Sequence, residues 1–422
     1  MRLRCENIGK LTSADVEIKA VTLIAGLNST GKSTVGKLLY CVFNSFYNFS
    51  EQASMALKNF ISNQLYELSS PIENIEGCVA ELYTLRYGKD IEKIRSVIAG
   101  YTGNSISGKK NASICERILE LLNLSDDDLY KWILQSKFSS EFGAQIQNIF
   151  TPGKPSSVTL TIKNSDINIE IKNDKISTIE NARDLKTEVV YIDDPFILDN
   201  LATRLGFFWN SGEHKAYLQR KLMAGITKKF DADTDMDAAI QDLLTKKQLK
   251  AIYDKLDSVC KGNIVQEPKT GFAFKLEGTN KTLSIKNLST GLKTFSIIKT
   301  LLINGALVQN GTIILDEPEI HLHPEWQKLL AEVIILIQKE FNMHILINSH
   351  SPYFINAIDV YAEKHGIRDT CKFYLATGGV DSNTSELVDV SNDLEPINKL
   401  LYIPLQELEN ERAEINMGGD ND

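Results

Sequence analysis

The segment 26–33, which reads GLNSTGKS, constrains this chain more than any other feature of its sequence. It has the form G-x-x-x-x-G-K-S, follows the apolar run Val21–Ala25, and precedes residues 34–43, whose apolar side chains recur at helical spacing. A strand, a glycine-rich loop and a helix in this order are the context of a phosphate-binding loop. The backbone N–H groups of such a loop point at bound phosphates, and the start of the helix adds a positive dipole end. The sequence therefore predicts a nucleotide-binding site at this loop.

The residue types in the loop suit a triphosphate that is bound with Mg²⁺. Lys32 is expected to reach the β- and γ-phosphates, and the hydroxyl group of Ser33 is expected to coordinate the metal ion. The residues predicted to contact the nucleotide here are Gly26, Asn28, Ser29, Thr30, Gly31, Lys32, Ser33 and Thr34.

Composition and charge argue against several other functional classes. Of the 422 residues, 43% are apolar and 24% are charged, which is normal for a globular protein with a large core. The net charge of −9 gives no overall attraction for nucleic acid or an anionic membrane, so either contact would need a local basic patch. The six cysteines form no C-x-x-C pair, which argues against a disulfide framework. The chain shows neither a signal peptide nor a membrane-spanning apolar run, so a cytoplasmic location without a membrane partner is predicted.

Strand and helix patterns alternate along the chain. They predict an α/β fold class, with a P-loop NTPase core on a mixed β-sheet that is interrupted by two mostly helical insertions. Residues 100–111 are predicted to be a polar loop, and residues 418–422 to be disordered. The domain boundaries are core 1–45, 151–196 and 263–395, first helical insertion 46–150, second helical insertion 197–262, and C-terminal tail 396–422.

A short apolar run, residues 312–318, ends in two carboxylates and a proline (TIILDEP). A strand here would bring both carboxylates to the C-terminal edge of the sheet, where the sites of α/β proteins lie. Asp316 is expected to orient Mg²⁺, and Glu317 is expected to position the attacking water. The apolar run 188–192 is predicted to be another buried parallel strand.

Two further segments are expected to complete the site. Residues 288–293 (LSTGLK) begin a helix, and Ser289 with Gly291 would form a second edge that binds anions. His350 follows the strand 344–347, which is predicted to neighbour the strand of Asp316. His350 is therefore expected beside the acidic pair, where it could contact the γ-phosphate.

His321 and His323 could suggest a metal site. Their spacing is not that of a helical ligand pair, and no cysteine or third histidine is near them in the sequence. A turn that contacts a partner subunit is predicted instead.

These four motifs in this order resemble the ABC-type ATPases, including the SMC-like proteins and the overcoming-lysogenization-defect (OLD) nucleases. The most specific similarity is in residues 315–324 (LDEPEIHLHP), which resemble the extended DEPE-x-HLHP motif of the OLD-like ATPases of bacterial anti-phage systems. The loop start Gly26-x-Asn28 and the LSTGLK segment are also similar to that group. The resemblance covers roughly residues 1–45, 155–195 and 263–395.

The resemblance implies an ABC-type P-loop core that binds ATP with Mg²⁺ and hydrolyses ATP slowly. Lys32, Glu317 and His350 would be catalytic. Two subunits would pair head to tail as a homodimer or higher homo-oligomer, with Ser289, Gly291 and Lys293 of one closing over ATP on the other. LSTGLK differs from the transporter signature LSGGQ and fits the SMC-like and OLD-like members better. The glutamine that usually follows the phosphate loop is not assigned.

The function implied by the resemblance is control of a separate effector. No acidic cluster of metal ligands follows His350 in the sequence, so a nuclease or toxin used in anti-phage defence is expected on another polypeptide. Two alternatives stay open. One is an SMC-like ATPase in DNA repair or maintenance, and the other is a scaffold held by ATP without turnover. The lysine pairs that could contact DNA are Lys109–Lys110, Lys228–Lys229 and Lys246–Lys247.

Overall fold

The computed structural model describes residues 1–103, 108–201, 213–232, 249–267, 271–378 and 383–418. The described strands are β1 (Arg2–Ile8), β2 (Leu11–Glu17), β3 (Val21–Ala25), β4 (Ser156–Ile162), β5 (Ser165–Lys172), β6 (Lys175–Glu180), β7 (Val189–Ile192), β8 (Gly262–Glu267), β9 (Gly271–Leu276), β10 (Thr282–Ser284), β11 (Thr312–Asp316), β12 (His344–Ser349), β13 (Cys371–Thr377) and β14 (Ser385–Asp389). The described helices are α1 (Lys32–Phe46), α2 (Phe49–Tyr66), α3 (Ile75–Thr84), α4 (Ile91–Thr102), α5 (Lys109–Leu122), α6 (Asp126–Phe142), α7 (Glu213–Ala232), α8 (Lys250–Val259), α9 (Thr290–Ile303), α10 (Pro324–Phe341), α11 (Pro352–Lys364) and α12 (Glu395–Gly418). None of these described helices combines the length and the apolar character that crossing a membrane requires.

The main sheet of the described chain is mixed, as the sequence predicts. Its strand order is β6-β5-β4-β1-β2-β14-β13-β3-β12-β11-β7. The strands from β6 to β2 pair antiparallel, whereas β13, β3, β12, β11 and β7 are all parallel to one another. A smaller antiparallel sheet contains β10, β9 and β8. The parallel half is the part that positions the predicted site.

The parallel strands are buried because helices cover both faces of this half of the sheet. Every residue of β3, β7 and β11 is buried, which explains their mostly apolar sequences. Along β3, Leu23 belongs to the core on one face and Ile24 to the core on the other, as the two-residue period of a strand requires. The predicted buried parallel strand at residues 188–192 is confirmed by β7, which lies at the edge of the sheet beside β11.

Helix α1 lies close against the sheet because of Gly36. A Cβ atom at this position would lie 3.1 Å from Cγ2 of Ile314 and 3.3 Å from the hydroxyl oxygen of Tyr191. The opposite face is covered mainly by α9, α10 and α11, whose apolar side chains form one core with β3, β11 and β12. The helix that follows the phosphate loop is therefore seated directly on the two strands β7 and β11.

The two predicted helical insertions differ in how they pack. Helices α2 to α5 share a small core of their own, which includes Ile61, Leu82, Ile98 and Ile118. Helices α7 and α8 instead contribute buried leucines and isoleucines to the main core on the sheet. Helices α2 to α5 therefore form a largely separate helical unit. Helix α6, through Leu134 and Phe138, and the described part of 197–262 are instead integrated with the sheet.

Several local elements differ from the sequence predictions. Strands β6, β8 and β14 were not expected. Two of them, β6 and β14, have mostly exposed or half-buried side chains and show no regular alternation of apolar and polar residues. Residues 100–111 are mainly the end of α4 and the start of α5, because the buried Ile98 and Ile114 anchor both helices; residues 104–107 lie outside the described residues.

The C-terminal region is helical up to the last described residue. The segment assigned to a tail, 396–422, forms α12 over Glu395–Gly418. The disorder predicted for 418–422 concerns residues that, apart from Gly418, lie outside the described chain.

Candidate active site

Strand pairing brings the predicted motifs to one edge of the sheet. Ser349 at the end of β12 pairs with Ala25 at the end of β3, and Asn348 pairs with Asp316 at the end of β11. The phosphate loop, the acidic pair and His350 each follow one of these three adjacent parallel strands. The carboxyl ends of parallel strands meet at the same edge, which is where α/β proteins bind ligands. The predicted neighbouring of β11 and β12 is confirmed.

The phosphate loop has a backbone that requires glycine at both ends. Gly26 and Gly31 have φ values of 155° and 82°. A Cβ atom at Gly26 would lie 2.9 Å from the Cβ atom of Ala376, and a Cβ atom at Gly31 would lie 2.9 Å from Cδ2 of Leu11. The hydroxyl group of Thr30 donates a hydrogen bond of 2.8 Å to the carbonyl oxygen of Leu27 inside the loop. Both glycines therefore meet steric and conformational demands of this turn.

The start of α1 lies at the end of this loop. Gly31 is its N-cap residue, and in the described chain no side chain caps this helix start. The first backbone N–H groups of a helix lack partners within the helix, and they carry its positive dipole end. Asn28, Ser29, Ser33 and Thr34 lie along the same loop and first turn. This arrangement suits an anion such as a phosphate group.

The side chain of Lys32 lies across the loop and reaches the acidic pair. Its ammonium group donates hydrogen bonds of 3.0 Å and 2.8 Å to the carbonyl oxygens of Gly26 and Leu27. The same nitrogen lies 3.6 Å from Oε1 of Glu317. Burial lowers the pKa of Lys32, and the charges of Glu317 and Asp316 counteract that shift. Lys32 thus joins the phosphate loop to the end of β11.

Asp316 is held by two donors that the sequence analysis did not identify. Its Oδ2 atom accepts a hydrogen bond of 2.7 Å from the Tyr191 hydroxyl group, and its Oδ1 atom accepts one of 2.9 Å from the Asn348 amide. Asp316 is buried, and each carboxylate oxygen keeps further lone pairs. The Asp316 carboxylate and the Ser33 hydroxyl group, which lies at the start of α1, are both hard oxygen donors of the kind that Mg²⁺ prefers.

Glu317 and His350 form a charge pair at the edge of the sheet. Oε1 of Glu317 lies 3.1 Å from Nδ1 of His350, although the N–H direction is not that of a straight hydrogen bond. Glu317 has a left-handed φ of 50°, and its N–H donates to the carbonyl oxygen of Asn348 at 2.9 Å. Contact with His350 lowers the pKa of Glu317, and contact with Glu317 raises the pKa of His350. The predicted proximity of the two side chains is present in the structure.

Glu319, which follows β11, is a third acidic residue, and its role is not evident from the sequence. Its side chain is almost fully buried and accepts hydrogen bonds from the Ser349 hydroxyl group and from the backbone N–H of His350, the latter at 3.3 Å. Burial raises the pKa of Glu319. The side chain therefore ties the turn after β11 to the turn after β12 and helps to position His350.

The LSTGLK segment is placed differently from the rest of the predicted site. Ser289 is the exposed N-cap of α9, and it accepts a hydrogen bond of 3.4 Å from the N–H of Leu292. A Cβ atom at Gly291 would lie 2.9 Å from Cδ2 of Leu322. Lys293 is buried, and its ammonium group lies 2.8 Å from Oδ2 of Asp199. In the described part of this chain, no hydrogen bond or ion pair joins the segment to the phosphate loop.

The two histidines of the HLHP segment lie in the turn before α10. His321 is exposed and has a φ of 68°. Nδ1 of His323 accepts a hydrogen bond of 3.4 Å from the N–H of Glu325 and so caps α10. No cluster of metal-ligating side chains is found among the described residues.

We expect the hydrogen bond from Tyr191 to Asp316 to contribute measurably to stability. In the variant Tyr191→Phe, the Oδ2 atom of Asp316 would stay buried without this donor, which costs about 1–3 kcal/mol. Urea denaturation would measure the free energy of unfolding. The control is Tyr353→Phe, because Tyr353 is exposed and its variant should unfold like the wild type. Equal stability of the two variants would show that this hydrogen bond contributes nothing.

A glycine-rich loop at a helix start, a fixed buried aspartate and a glutamate–histidine pair on one sheet edge define a P-loop ATPase core. Comparison with protein families agrees with this class. Residues 21–356 match the family described as "AAA domain, putative AbiEii toxin, Type IV TA system", and the chain belongs to this family. The resemblance to ATPases of bacterial anti-phage systems, inferred from the sequence, is supported by this family and by the retron ATPase described next.

The chain is similar to curated proteins and to solved structures. The "Retron Ec83 probable ATPase" of Escherichia coli is 30% identical over 95 residues, which is 20% of this chain and 17% of that protein. The SMC head bound to the C-winged helix domain of ScpA has a TM-score of 0.44 at 12% identity, over 94% of this chain and 98% of that one. The SMC head domain from Thermotoga maritima has a TM-score of 0.36 at 11% identity, over 92% and 98%.

Proposed function

We propose that the chain binds ATP at the phosphate loop and hydrolyses it to ADP and phosphate. The observation that carries this proposal is the convergence of Lys32, Glu317 and His350. The carboxylate of Glu317 lies 3.6 Å from the Lys32 ammonium group and 3.1 Å from the imidazole of His350. A cation, a general base and a second polar group at one edge are the parts that in-line attack of water on a γ-phosphate requires.

In this mechanism the side chains mainly position groups and stabilise charge. Lys32 would turn from the loop carbonyls toward the β- and γ-phosphates and stabilise the charge that develops there. Glu317 would orient the attacking water and accept its proton, while His350 holds Glu317 in place and faces the γ-phosphate. Asp316 and Ser33 would hold Mg²⁺, which neutralises charge on the phosphate oxygens when it is bound. Tyr191 and Asn348 keep Asp316 in the required orientation.

We expect ATP turnover to depend on pH through the Glu317–His350 pair. The pKa of His350 is raised in the folded chain, so its contribution is present at low pH and is lost as the pH rises through that raised pKa. The pKa of Glu317 is lowered, so its contribution is lost only as the pH falls through that lowered pKa. Turnover should therefore fall on the alkaline side.

The variant His350→Asn tests this pH dependence. It should lower turnover and remove the alkaline fall from a profile of kcat against pH, measured by phosphate release. His365→Asn is the control, because His365 lies on the turn after α11 and should keep the wild-type profile. An unchanged alkaline fall in His350→Asn would contradict the role of this pair.

We further propose that the catalytic unit is a homodimer with shared ATP sites. The exposed Ser289 at the start of α9 presents N–H groups that are not joined to the phosphate loop of its own chain, which supports binding to ATP held by a second copy. Gly291 and Lys293 would support this helix start indirectly. Gly291 lets α9 approach Leu322, and Lys293 anchors α9 to Asp199.

Mixing two inactive variants tests both turnover and the shared site. Wild-type protein should release phosphate from Mg-ATP, whereas Lys32→Ala and Ser289→Arg should each be inactive alone. A mixed dimer keeps one complete site if the two residues act on the same ATP from different subunits. Mixing equal amounts should therefore restore about a quarter of wild-type turnover. Continued inactivity after verified subunit exchange would contradict the shared site.

We propose, finally, that ATP turnover controls a separate effector in anti-phage defence. The support is indirect: the family description names a toxin–antitoxin system, and one relative carries the name of a retron ATPase. The alternative in DNA maintenance has no added support from the described residues. Of its candidate lysine pairs, Lys109–Lys110 is exposed at the start of α5, the side chains of Lys228–Lys229 are not described, and Lys246–Lys247 lie outside the described residues.

A further inference from the structure

Helix α12 leaves the body of the protein after its first turns. Ile397 is fully buried, and the Tyr402 hydroxyl group accepts a hydrogen bond of 3.2 Å from the Asn356 amide on α11. Every residue from 403 to 415 is exposed. A helix of this length gains little stability in water from its own hydrogen bonds and is normally stabilised by packing of an apolar face. The described chain provides no such packing for this segment.

The exposed part of α12 carries an apolar face, which we call the C-terminal stripe: Leu405, Leu408 and Ile415. Their side chains are 50%, 62% and 74% exposed, which is unusual for large aliphatic residues that share one face. Spacings of three and seven residues bring them to the same side of the part of α12 that follows Pro404. Arg412 occupies the one polar position within the stripe.

Acidic residues border the stripe on both sides. At about 100° per residue, Glu409 and Glu411 lie on opposite flanks of the line through Leu405 and Leu408. A second copy of α12 would bring glutamates next to glutamates, and like charges in such borders destabilise pairing. A partner with an apolar groove could bury the stripe, and lysine or arginine at the borders of that groove could pair with the flanking glutamates.

We propose that the C-terminal stripe docks into a groove of another polypeptide that is apolar at its centre and basic at its borders. This inference rests on the proposed control of a separate effector and specifies how that effector is held. The stripe supplies the apolar contact, and Glu409 and Glu411 select the partner by charge. The interaction requires neither the phosphate loop nor Glu317.

Two synthetic helical peptides can serve as probes for this surface. Both would be about 21 residues long with leucines in a heptad pattern, one bordered by lysines and the other by glutamates. Fluorescence anisotropy with the full chain should show that the lysine-bordered peptide binds at least about tenfold more tightly, with an affinity that falls as salt rises. Failure of the lysine-bordered peptide to bind, or equal binding of both peptides, would overturn the proposal.

Three variants test whether peptide binding depends on the C-terminal stripe or on nonspecific hydrophobic contact. Leu405→Asp/Leu408→Asp should weaken binding of the lysine-bordered peptide at least about tenfold. Glu409→Lys/Glu411→Lys should reverse the preference between the peptides. Ile403→Asp is the matched control, because Ile403 is exposed on the far side of the same helix and its variant should bind like the wild type. Equal loss in all three variants would overturn the assignment to the stripe.

Light scattering distinguishes docking of a partner from pairing of two copies of this chain. ATP turnover distinguishes failure of the docking proposal from failure of the proposed hydrolysis. Without ATP, Leu405→Asp/Leu408→Asp should have the same molecular mass in solution as the wild type. A smaller mass for the variant would show that the stripe joins two copies of this chain and would overturn the proposal. Peptide binding is measured without ATP, so normal turnover without peptide binding contradicts the docking surface alone. Peptide binding without turnover contradicts only the proposed hydrolysis.

Discussion

The variant Glu317→Gln is expected to bind ATP normally and to lose nearly all hydrolysis. Glutamine keeps the size of the side chain but cannot accept a proton from water, and it forms no charge pair with His350. A general base contributes roughly 10²–10⁴-fold to a rate, so kcat should fall by that factor. ATP affinity should stay within about threefold of the wild-type value, because the phosphate contacts of the loop are retained. Phosphate release and equilibrium binding of ATP measure the two quantities.

The control for this variant is Glu325→Gln. Glu325 is exposed in the first turn of α10, eight positions further along the same chain segment, and its variant should hydrolyse ATP like the wild type. Turnover near the wild-type rate in Glu317→Gln would contradict the assignment of the base. Absence of turnover in the wild type, together with retained ATP, would instead favour the scaffold alternative.

The variant Lys32→Ala is expected to lose ATP binding as well as hydrolysis. The ammonium group is the buried cation of the loop, and hydrogen bonds to charged groups are worth about 1.5–3 kcal/mol. ATP affinity should therefore fall by roughly 10- to 150-fold, and turnover should be undetectable. Isothermal titration of the purified variant with Mg-ATP measures the affinity.

Lys37→Ala is the matched control for Lys32→Ala. Lys37 lies on the same helix, and its ammonium group donates a hydrogen bond of 3.0 Å to the carbonyl oxygen of Glu141, away from the loop. This variant should bind ATP with wild-type affinity. Thermal unfolding of both variants shows whether a loss of binding is a loss of structure. Equal ATP affinity of Lys32→Ala and the wild type would contradict the nucleotide site.

The parts of this site that were predictable share a local sequence signal. The loop at Gly26–Ser33 reads as a phosphate loop because its glycines, lysine and serine fall at positions that phosphate binding demands. Strand β3 before the loop is a short, mostly apolar run, and β11 is another, which ends at the acidic pair. Parallel strands share one carboxyl edge, so the meeting of Glu317 and His350 followed from strand order alone.

The parts that were not predictable depend on contacts between distant segments. In the sequence, Tyr191 looks like an ordinary strand residue. Its role depends on the pairing of β7 with β11, which brings the Tyr191 hydroxyl group to Asp316. Glu319 reads as a solvated acid, yet it is buried under the turn at Ser349. The packing of α7 and α8 against the sheet, and the exposure of α12, likewise follow from tertiary structure and not from periodicity.

The roles of the residues in the LSTGLK segment also could not be predicted from the sequence alone. Its sequence resembles a signature that acts on ATP, but within one chain Gly291 and Lys293 have structural contacts of their own. Steric closeness of Gly291 to Leu322 and the ion pair of Lys293 with Asp199 are sufficient reasons for those residue types. Only Ser289 presents an exposed edge, which is why the mixed-dimer experiment uses that residue.

The structure of the Glu317→Gln variant with Mg-ATP tests the central claim most directly. The account predicts that the triphosphate lies in the loop 26–33, with the γ-phosphate within hydrogen-bonding distance of Lys32 and facing residues 317 and 350. Nucleotide bound elsewhere on the protein, or a loop in which Lys32 still contacts only the carbonyl oxygens of Gly26 and Leu27, would contradict it.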